Sequence, residues 1–463
     1  MAITQQGWRA GTSSGGGGGS DEKVKISSAD TTTNFLENKL VAGTNITLNK
    51  LNTGANEQIE IVSSGSGLAT GIIGIPDGSG WYTFYASLNL ALASAVIGDT
   101  IIFFDNYTES TTGTLLKSGV DINLNGHTYT LDTADAQDTL SNVASAGKYR
   151  IYNGVIKRQN AVPNDERDGV VLRIDTASSE LILVGVEVIQ ESDACVVYGT
   201  GKPIVNGGVY RGGSATFQYT ALNLSWTMAN ATWFMNEELI LNDCTSLNCI
   251  FYQLSNKDGV TLTNTAKLFE SFVSHVGNAS AGFYALQISG SGAVAQNVNV
   301  QSNTSDGILV SGGSLYDSAV RVSDEIACRV ANGSYVSNVS AVSRANYGLY
   351  IDRSEVHNSY SETTTGSSSV FIGQDSTLFN SSIISNNASG VGIFLNASSN
   401  KISKCTIGMS NVTGNAIDGN ALGVFAQIVN NVADNSLGAL INTTNITNIQ
   451  VFTQDGFGNI LIG

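Results

Sequence analysis

Apolar residues along this chain recur in short runs of four, not in helical stretches. Between Gly169 and Leu395 the runs are Gly-Val-Val-Leu ending at Leu172, Ala-Cys-Val-Val at Val197, Ala-Leu-Asn-Leu at Leu224, Asn-Cys-Ile-Phe at Phe251 and Phe-Tyr-Ala-Leu at Leu286. They continue as Gly-Ile-Leu-Val at Val310, Ala-Cys-Arg-Val at Val330, Gly-Leu-Tyr-Ile at Ile351, Ser-Val-Phe-Ile at Ile372 and Gly-Ile-Phe-Leu at Leu395. Successive tetrads lie 20 to 27 residues apart, with one step of 35. That spacing predicts one solenoid coil per tetrad and one long excursion. A second strand tracks the later tetrads, marked by Leu315, Val336, Val356, Leu378 and Ile402. Two places further on stand Asp317, Asn338, Asn358, Asn380 and Lys404. They predict a polar ladder at one corner, where Asn side chains tolerate the turn and hydrogen-bond from coil to coil. This ladder is structural and is assigned no catalytic role. Roughly a dozen coils at the ~4.8 Å strand spacing give a rod on the order of 60 Å long.

The stretch Trp81 to Leu131 prepares that solenoid. Tyr85, Leu88, Leu92 and Val96 fall at near-helical spacing among alanines, and Gly98-Asp99 stops the helix. Thr100-Ile-Ile-Phe-Phe then starts a strand, Gly119-Val-Asp-Ile-Asn-Leu alternates in period two, and Asn125-Gly126 marks a turn. An amphipathic helix over the first coil would cover apolar strand ends and block further strand pairing. This order resembles the N-terminal cap of right-handed parallel β-helices of the pectin-lyase-like kind. The expected fold is therefore all-β, a right-handed parallel β-helix over residues 81–410.

Ahead of the cap the chain reads differently. Residues 1–20 end in Ser-Ser-Gly-Gly-Gly-Gly-Gly-Ser, a flexible linker behind a short tag that holds Trp8 and Arg9. The tag reads either as an anchor peptide docking into another protein or as a plain terminus. In residues 21–64, Val41 to Leu48 and Glu57 to Val62 flank the turn Asn52-Thr-Gly-Ala-Asn, which predicts a hairpin. A lone hairpin is marginal in water, so its apolar face needs partners, most simply copies of itself. The segments Val24-Lys-Ile-Ser-Ser-Ala-Asp-Thr-Thr, Phe35-Leu-Glu-Asn-Lys-Leu-Val-Ala-Gly-Thr and Gly54-Ala-Asn-Glu-Gln-Ile-Glu-Ile resemble a short β module found near the N-termini of bacteriophage fibre and tail proteins. The resemblance covers about a tenth of the chain. It implies a homotrimer held on the virion through its N-terminus and other virion proteins. Residues 65–80 read as a hinge, and residues 411–463 as short strands that cap the last coil or form a distal tip.

Composition narrows the functions. A net charge of −16 without a Lys/Arg cluster argues against nucleic acid. The N-terminus lacks a secretory signal pattern and no apolar run has membrane-spanning length, so assembly in a host cytoplasm is expected, without membrane insertion. The five cysteines (195, 244, 249, 328 and 405) contain no C-x-x-C pair and read as core thiols. No cofactor is expected, and the three histidines (127, 275 and 357) are too scattered for a metal site.

Two kinds of candidate site remain. Sugar hydrolysis needs two carboxyl groups on one face. The acid sets are Glu187 with Glu191 and Asp193, Glu237 with Glu238, Asp324 with Glu325, and Asp352-Arg353-Ser-Glu355-Val-His357. In the last set, alternation would place Arg353, Glu355 and His357 together. The excursion Phe217 to Leu239 holds Tyr219, Trp226, Trp233 and Phe234, aromatic faces suited to sugar rings or to packing. The sequence thus points to a phage fibre or tailspike-like appendage binding a host surface glycan or receptor. The alternative is a tailspike depolymerase with Glu237, Glu238, Asp352, Glu355 or His357 as its acids and bases. A bacterial adhesin or secreted pectin-lyase-like enzyme fits the N-terminus less well.

Overall fold

The computed structural model describes residues 46–51, 58–63, 72–142, 146–160, 169–176, 178–191, 196–198, 202–211, 227–235, 238–277, 282–387, 390–397, 399–409, 415–419, 426–429, 432–434, 450–454 and 460–462. The chain divides into two units, Met1–Thr70 and Gly71–Gly463. In the first, Ile46–Leu51 and Gln58–Ser63 pair antiparallel with Leu51 opposite Gln58, the hairpin expected from the alternation. Trp8 and Arg9 lie outside the described residues.

The second unit is a parallel β-solenoid with three strand-bearing faces. Face one carries a nine-stranded ladder from Leu239–Asn242 to Ile417–Gly419, with a four-stranded ladder from Thr114–Leu115 to Val197–Tyr198 nearer the N-terminus. Faces two and three follow along each coil. In one coil they are Ser314–Tyr316 and Ala319–Val322, after Asp306–Ser311 on face one. Strands pair with their equivalents one coil away, so inward residues form columns along the axis: Leu315, Val336, Val356, Leu378 and Ile402 are all fully buried. The column expected for the second strand is present.

The single helix among the described residues, Leu88–Ser94, buries Leu88, Ala91 and Leu92 under the first coil. Ser87 caps its start, accepting from the N–H of Leu90 at 3.2 Å. The Lys117 ammonium caps its end, donating to the carbonyls of Ala95 at 2.5 Å and Leu92 at 3.2 Å. The helix is shorter than its apolar spacing suggested. Tyr85 belongs to the strand Tyr82–Tyr85, and Val96 lies beyond the helix and is exposed. That strand pairs antiparallel with Ile73–Pro76, inside the expected hinge.

The corners explain the polar sequence. Between faces two and three the chain turns on one left-handed residue per coil. Asn230, Asn248, Glu270, Asn297, Asp317, Asn338, Asn358, Asn380 and Lys404 all have φ between 48° and 57°. A Cβ in that region costs roughly 1–2 kcal/mol, which Asn offsets best through its short amide. The amides then bond along the axis: Asn248 donates to Asn230 at 2.8 Å, Asn338 to Asp317 at 2.9 Å and Asn380 to Asn358 at 2.8 Å. The predicted ladder is therefore real, and it extends further toward the N-terminus than its five sequence markers. Gly185 and Gly207 take the same position with φ of 59° and 74°.

Immediately after each ladder residue comes a small buried one. Ser271, Ser318, Ser359 and Ser381 accept the N–H of Cys249, Val298, Val339 and Ser359 in the preceding coil at 3.1–3.2 Å. Cys249 and Cys405 occupy the same column, and their thiols face the Leu247 and Ser403 carbonyls. The cysteines are thus core substitutes for serine, and Cys244 and Cys328 are buried as well. Cys195 lies outside the described residues.

At the corner between faces three and one the inner column is longer and more polar. Arg158, fully buried, donates to the carbonyls of Leu131 at 3.2 Å, Gln159 at 3.1 Å and Asp135 at 2.8 Å. Gln190, Gln253, His275, Ser343 and Thr363 hold the carbonyls of Gly169, Asp258, Lys257, Glu325 and Asn346 in turn. Long side chains serve the longer connections, and Ser or Thr the shorter ones.

Two readings are corrected by the register. Asn-Cys-Ile-Phe at Phe251 is a face-three strand, Ile250–Gln253, and the face-one strands there are Leu239–Asn242 and Val260–Thr263. The apparent long step is thus ordinary coils whose face-one strands end in polar residues. The repeat also continues past residue 410. Ile417–Gly419, Ala426–Val429 and Val432–Asp434 extend faces one, two and three by another coil.

The ladder makes a stability prediction. Alanine at Asn358 keeps the left-handed strain and loses the bond from Asn380, which is expected to cost about 1–2 kcal/mol. Asn358→Gly loses the bond alone and is expected to unfold at a urea midpoint between wild type and Asn358→Ala. Equal midpoints for the two variants would refute the backbone argument.

Candidate functional site

Outward-facing residues also stack in columns, and several are aromatic. On face one Tyr350 stacks on Phe371 at 4.7 Å and 12°, and Phe371 on Phe394 at 5.8 Å and 30°. On face three Phe234 stacks on Tyr252 at 5.1 Å and 17°. On face two Tyr335 stacks on His357 at 5.2 Å, and His357 meets Phe379 at 5.5 Å. Each ladder has a cation over a terminal ring: Arg329 over Tyr350 at 4.8 Å, Arg211 over Phe234 at 4.4 Å, and Lys404 over Phe379 at 5.2 Å. Rings stacked this way spend their faces on one another and on the cation. They bind coil to coil and show mainly their edges outward.

This geometry places the expected aromatic contacts. Trp233 is fully buried and stacks on Tyr210 at 4.3 Å, so it is a core residue and not a sugar contact. The strand Thr232–Met235 alternates, and register turns Trp233 inward and Phe234 outward into a ladder. Tyr219 and Trp226 lie outside the described residues.

The acid sets separate too. Arg353 is a left-handed corner residue, φ 50°, paired with Asp352 at 3.2 Å. The corner puts Asp352 on face one, while Glu355 and His357, 3.4 Å apart, share face two. Alternation fails there because the segment bends at Arg353. Glu187 pairs with Arg211 at 3.2 Å and Glu191 with Lys157 at 2.7 Å, as ion pairs across coils. Glu237 and Asp193 lie outside the described residues, and Asp324 is exposed.

Two of the candidate acids enter a cluster, Glu238 within it and Glu325 beside its Asp306. Glu238 sits just ahead of a face-one strand and accepts from the Thr261 hydroxyl in the next coil. Burial raises its carboxyl above the usual range, the Thr261 bond opposes this, and nearby Asp258 adds to it. Asp258 is also raised by burial, although it accepts the N–H of Tyr284 at 2.7 Å. Tyr284 lies opposite Asp306 in the following coil, and its hydroxyl is 3.4 Å from Arg329 Nη1. Asp306 accepts the N–H of Ile326 at 2.9 Å. Burial pushes its carboxyl up to about 6, with Glu325 adding to the rise and the Ile326 N–H and Arg329 opposing it. Glu238, Asp258, Tyr284, Asp306 and Arg329 thus form an acid row at the edge of face one, with the buried His275 close to Asp258, its imidazole pKa lowered by burial against the opposing Lys257 carbonyl and Asp258.

Sequence reasoning missed Asp258, Tyr284, Asp306 and Arg329. Asp258 lies in a connection outside the periodic pattern, and the other three open or occupy tetrad strands read only for their core residues. Glu238, Asp258, Tyr284 and Arg329 are half-buried at this edge, with Asp306 buried among them, and offer carboxyls, a phenol and a guanidinium that match sugar hydroxyls in bidentate and single hydrogen bonds.

No protein-family model matches the sequence, and no curated protein sequence matches it. Among solved structures, the A-module of a mannuronan C-5 epimerase from Azotobacter vinelandii is similar at 13% identity and TM-score 0.34, covering 80% of this chain and 93% of that one. PfbA, a surface adhesin of Streptococcus pneumoniae, is similar at 12% identity and TM-score 0.32, covering 65% of this chain and 83% of that one. The Dettilon tailspike protein is similar at 11% identity and TM-score 0.31, covering 75% of this chain and 61% of that one. At these scores none of them bears on what this chain does.

The raised carboxyls give a pH signature. Folded Asp306 holds its proton to about pH 6, against an ordinary value of 3.8, so folding takes up a proton between those values. The stability it supports below pH 4 is therefore lost as pH rises through about 6. Asp138, pushed up to about 6 by burial despite Arg173, acts in the same direction. Asp306→Asn keeps an acceptor for Ile326 and is expected to flatten, not abolish, the fall in Tm from pH 4 to 7. An unchanged Tm–pH curve would mean that Asp306 titrates normally.

Proposed function

We propose that this chain is a bacteriophage virion appendage whose β-solenoid binds a polysaccharide on the host cell surface. The binding half rests on the acid–tyrosine–arginine row at the edge of face one. It is the one cluster of described titratable groups in which three carboxyls with raised pKa, Asp306 buried and Glu238 and Asp258 half-buried, meet a phenol and a guanidinium. A regular solenoid suits the task because one face presents side chains at a fixed ~4.8 Å repeat to a linear polymer. The virion half rests on the resemblance of residues 24–61 to phage fibre modules, which also implies a homotrimer.

Binding of host surface polysaccharide to the purified full-length protein is the direct test. Arg329→Ala and Tyr284→Phe are expected to weaken it by about five- to tenfold, the loss of one or two hydrogen bonds. Light scattering is expected to give a trimer for the full chain. A stable monomer that binds no polysaccharide would sink the proposal.

A second reading is favoured by one observation. Glu238 and Asp258 lie in adjacent coils, near enough for the Asp258 carboxyl to raise that of Glu238, and glycoside hydrolysis uses such a pair of carboxyls. Burial raises both carboxyls above their ordinary values, the direction that favours a proton donor. If the appendage cleaves its polymer, Glu238→Gln and Asp258→Asn should each lower the release of reducing ends at least a hundredfold. Intact polymer after incubation with wild type would leave binding alone.

A further inference from the structure

The amide ladder between faces two and three has a gap. Asn206, Asn230 and Asn248 are joined by side-chain bonds, as are Asp317 with Asn338 and Asn358 with Asn380. Between them, at Glu270 and Asn297, the ladder keeps its left-handed backbone, φ 50° and 56°, but neither side chain bonds to another described residue, and at the second of these coils Gln296 beside Asn297 donates to Asp317 at 2.8 Å instead. Two surface depressions of about 480 and 500 Å³ lie there, and both are lined by Asn297 and Asp317. One adds Leu247, Phe269, Glu270 and Gln296. The other adds Asn299, Asn338 and Ser340. Phe269 is half-buried and, unlike the rings of the three ladders, meets no other described ring.

We propose that this groove, from Leu247 and Phe269 to Asn338, is a second saccharide-binding site, specific for a neutral, hydroxyl-bearing chain. Five coils at ~4.8 Å make the groove about 19 Å long, enough for several sugar rings in a row. Its floor supplies what such a ligand needs. The Phe269 ring and the exposed Leu247 give apolar contact. The Asn297 and Asn299 amides donate and accept, and the Glu270 carboxylate accepts from hydroxyls. The same groups select on charge: Glu270 and Asp317 repel a uronate or sialate chain, and no lysine or arginine lines the groove to offset them. The groove faces away from face one, so the two sites are separable. The saccharide class rests on the glycan-binding reading above.

The test is an array of purified bacterial surface polysaccharides, neutral and uronate-bearing, probed with the full-length protein, followed by calorimetry on the best neutral polymer. The variants are Phe269→Leu, Asn297→Gly and Glu270→Asn. Glycine and asparagine both keep the left-handed backbone, so folding is preserved and unchanged Tm verifies it. Each variant is expected to weaken neutral-polymer binding about five- to tenfold. If the variants bind as wild type does while Arg329→Ala weakens binding, the groove is overturned and the glycan-binding function stands. Binding of wild type to uronate-bearing polymers alone also overturns the groove. Binding to no polymer on the array overturns both.

Discussion

Coil-to-coil hydrogen bonding at one fixed register is the constraint on which the rest of this fold depends. Parallel strands about 4.8 Å apart must meet residue for residue, so every coil has to turn its corners at the same places. Between faces two and three the turn is made by one left-handed residue, and the register fails if the backbone there reverts to an extended form. This is why asparagine recurs at that position and why Gly185 and Gly207 replace it without disturbing the stack. The side-chain bonds along the ladder come afterwards. The pairs Asn338–Asp317 and Asn380–Asn358 add to a turn already required by the backbone.

Once register is fixed, each column becomes a local environment of its own. Directly behind the ladder there is room for a small side chain: serine there accepts an N–H of the preceding coil, and alanine, valine and cysteine fill the same space. Behind the corner into face one, the connection varies in length, and the reach of the buried side chain varies with it, from Arg158 and His275 to Ser343 and Thr363. On the outside, aromatic residues in adjacent coils are forced into stacks because the repeat is close to a ring-stacking distance. Arg329, Arg211 and Lys404 then cover end rings that would otherwise face water.

These rules explain what the sequence made legible. Columns whose chemistry repeats, such as Leu315 to Ile402 or Asp317 to Lys404, can be read by counting. Leu239–Asn242 and Val260–Thr263 could not, because Asn242, Thr261 and Thr263 break the apolar tetrad while Asn-Cys-Ile-Phe on a different face imitates it. Trp233 stays ambiguous between packing and sugar contact in the sequence for a related reason: only the register decides which of two adjacent aromatics points inward. The acid row was the least legible feature. Asp258 and Asp306 gain their character from burial and from backbone N–H groups of the next coil, and neither is a property of the local sequence. Glu238 was found as one of two adjacent acids, but its partners are some 20 residues away and one coil over.

The solenoid also constrains where a ligand can bind. A column with every side chain already bonded to its neighbours offers an approaching sugar few free groups. That describes the aromatic ladders and most of the asparagine ladder. Sites are expected instead where a column is interrupted and its groups are left to seek partners outside. Face one is interrupted at the acid row, where carboxyls raised by burial lie beside Tyr284 and Arg329. The corner opposite is interrupted at Glu270 and Asn297, where the backbone holds the ladder's geometry and the side chains do not complete its bonds. The two interruptions differ in chemistry. The acid row brings a guanidinium to its carboxyls and can accept a polar or partly charged sugar, whereas the groove has amides, carboxylates, serine hydroxyls and the apolar Phe269 and Leu247, with no cation in its lining. Affinity for uncharged rings, and discrimination against acidic ones, follow from that difference.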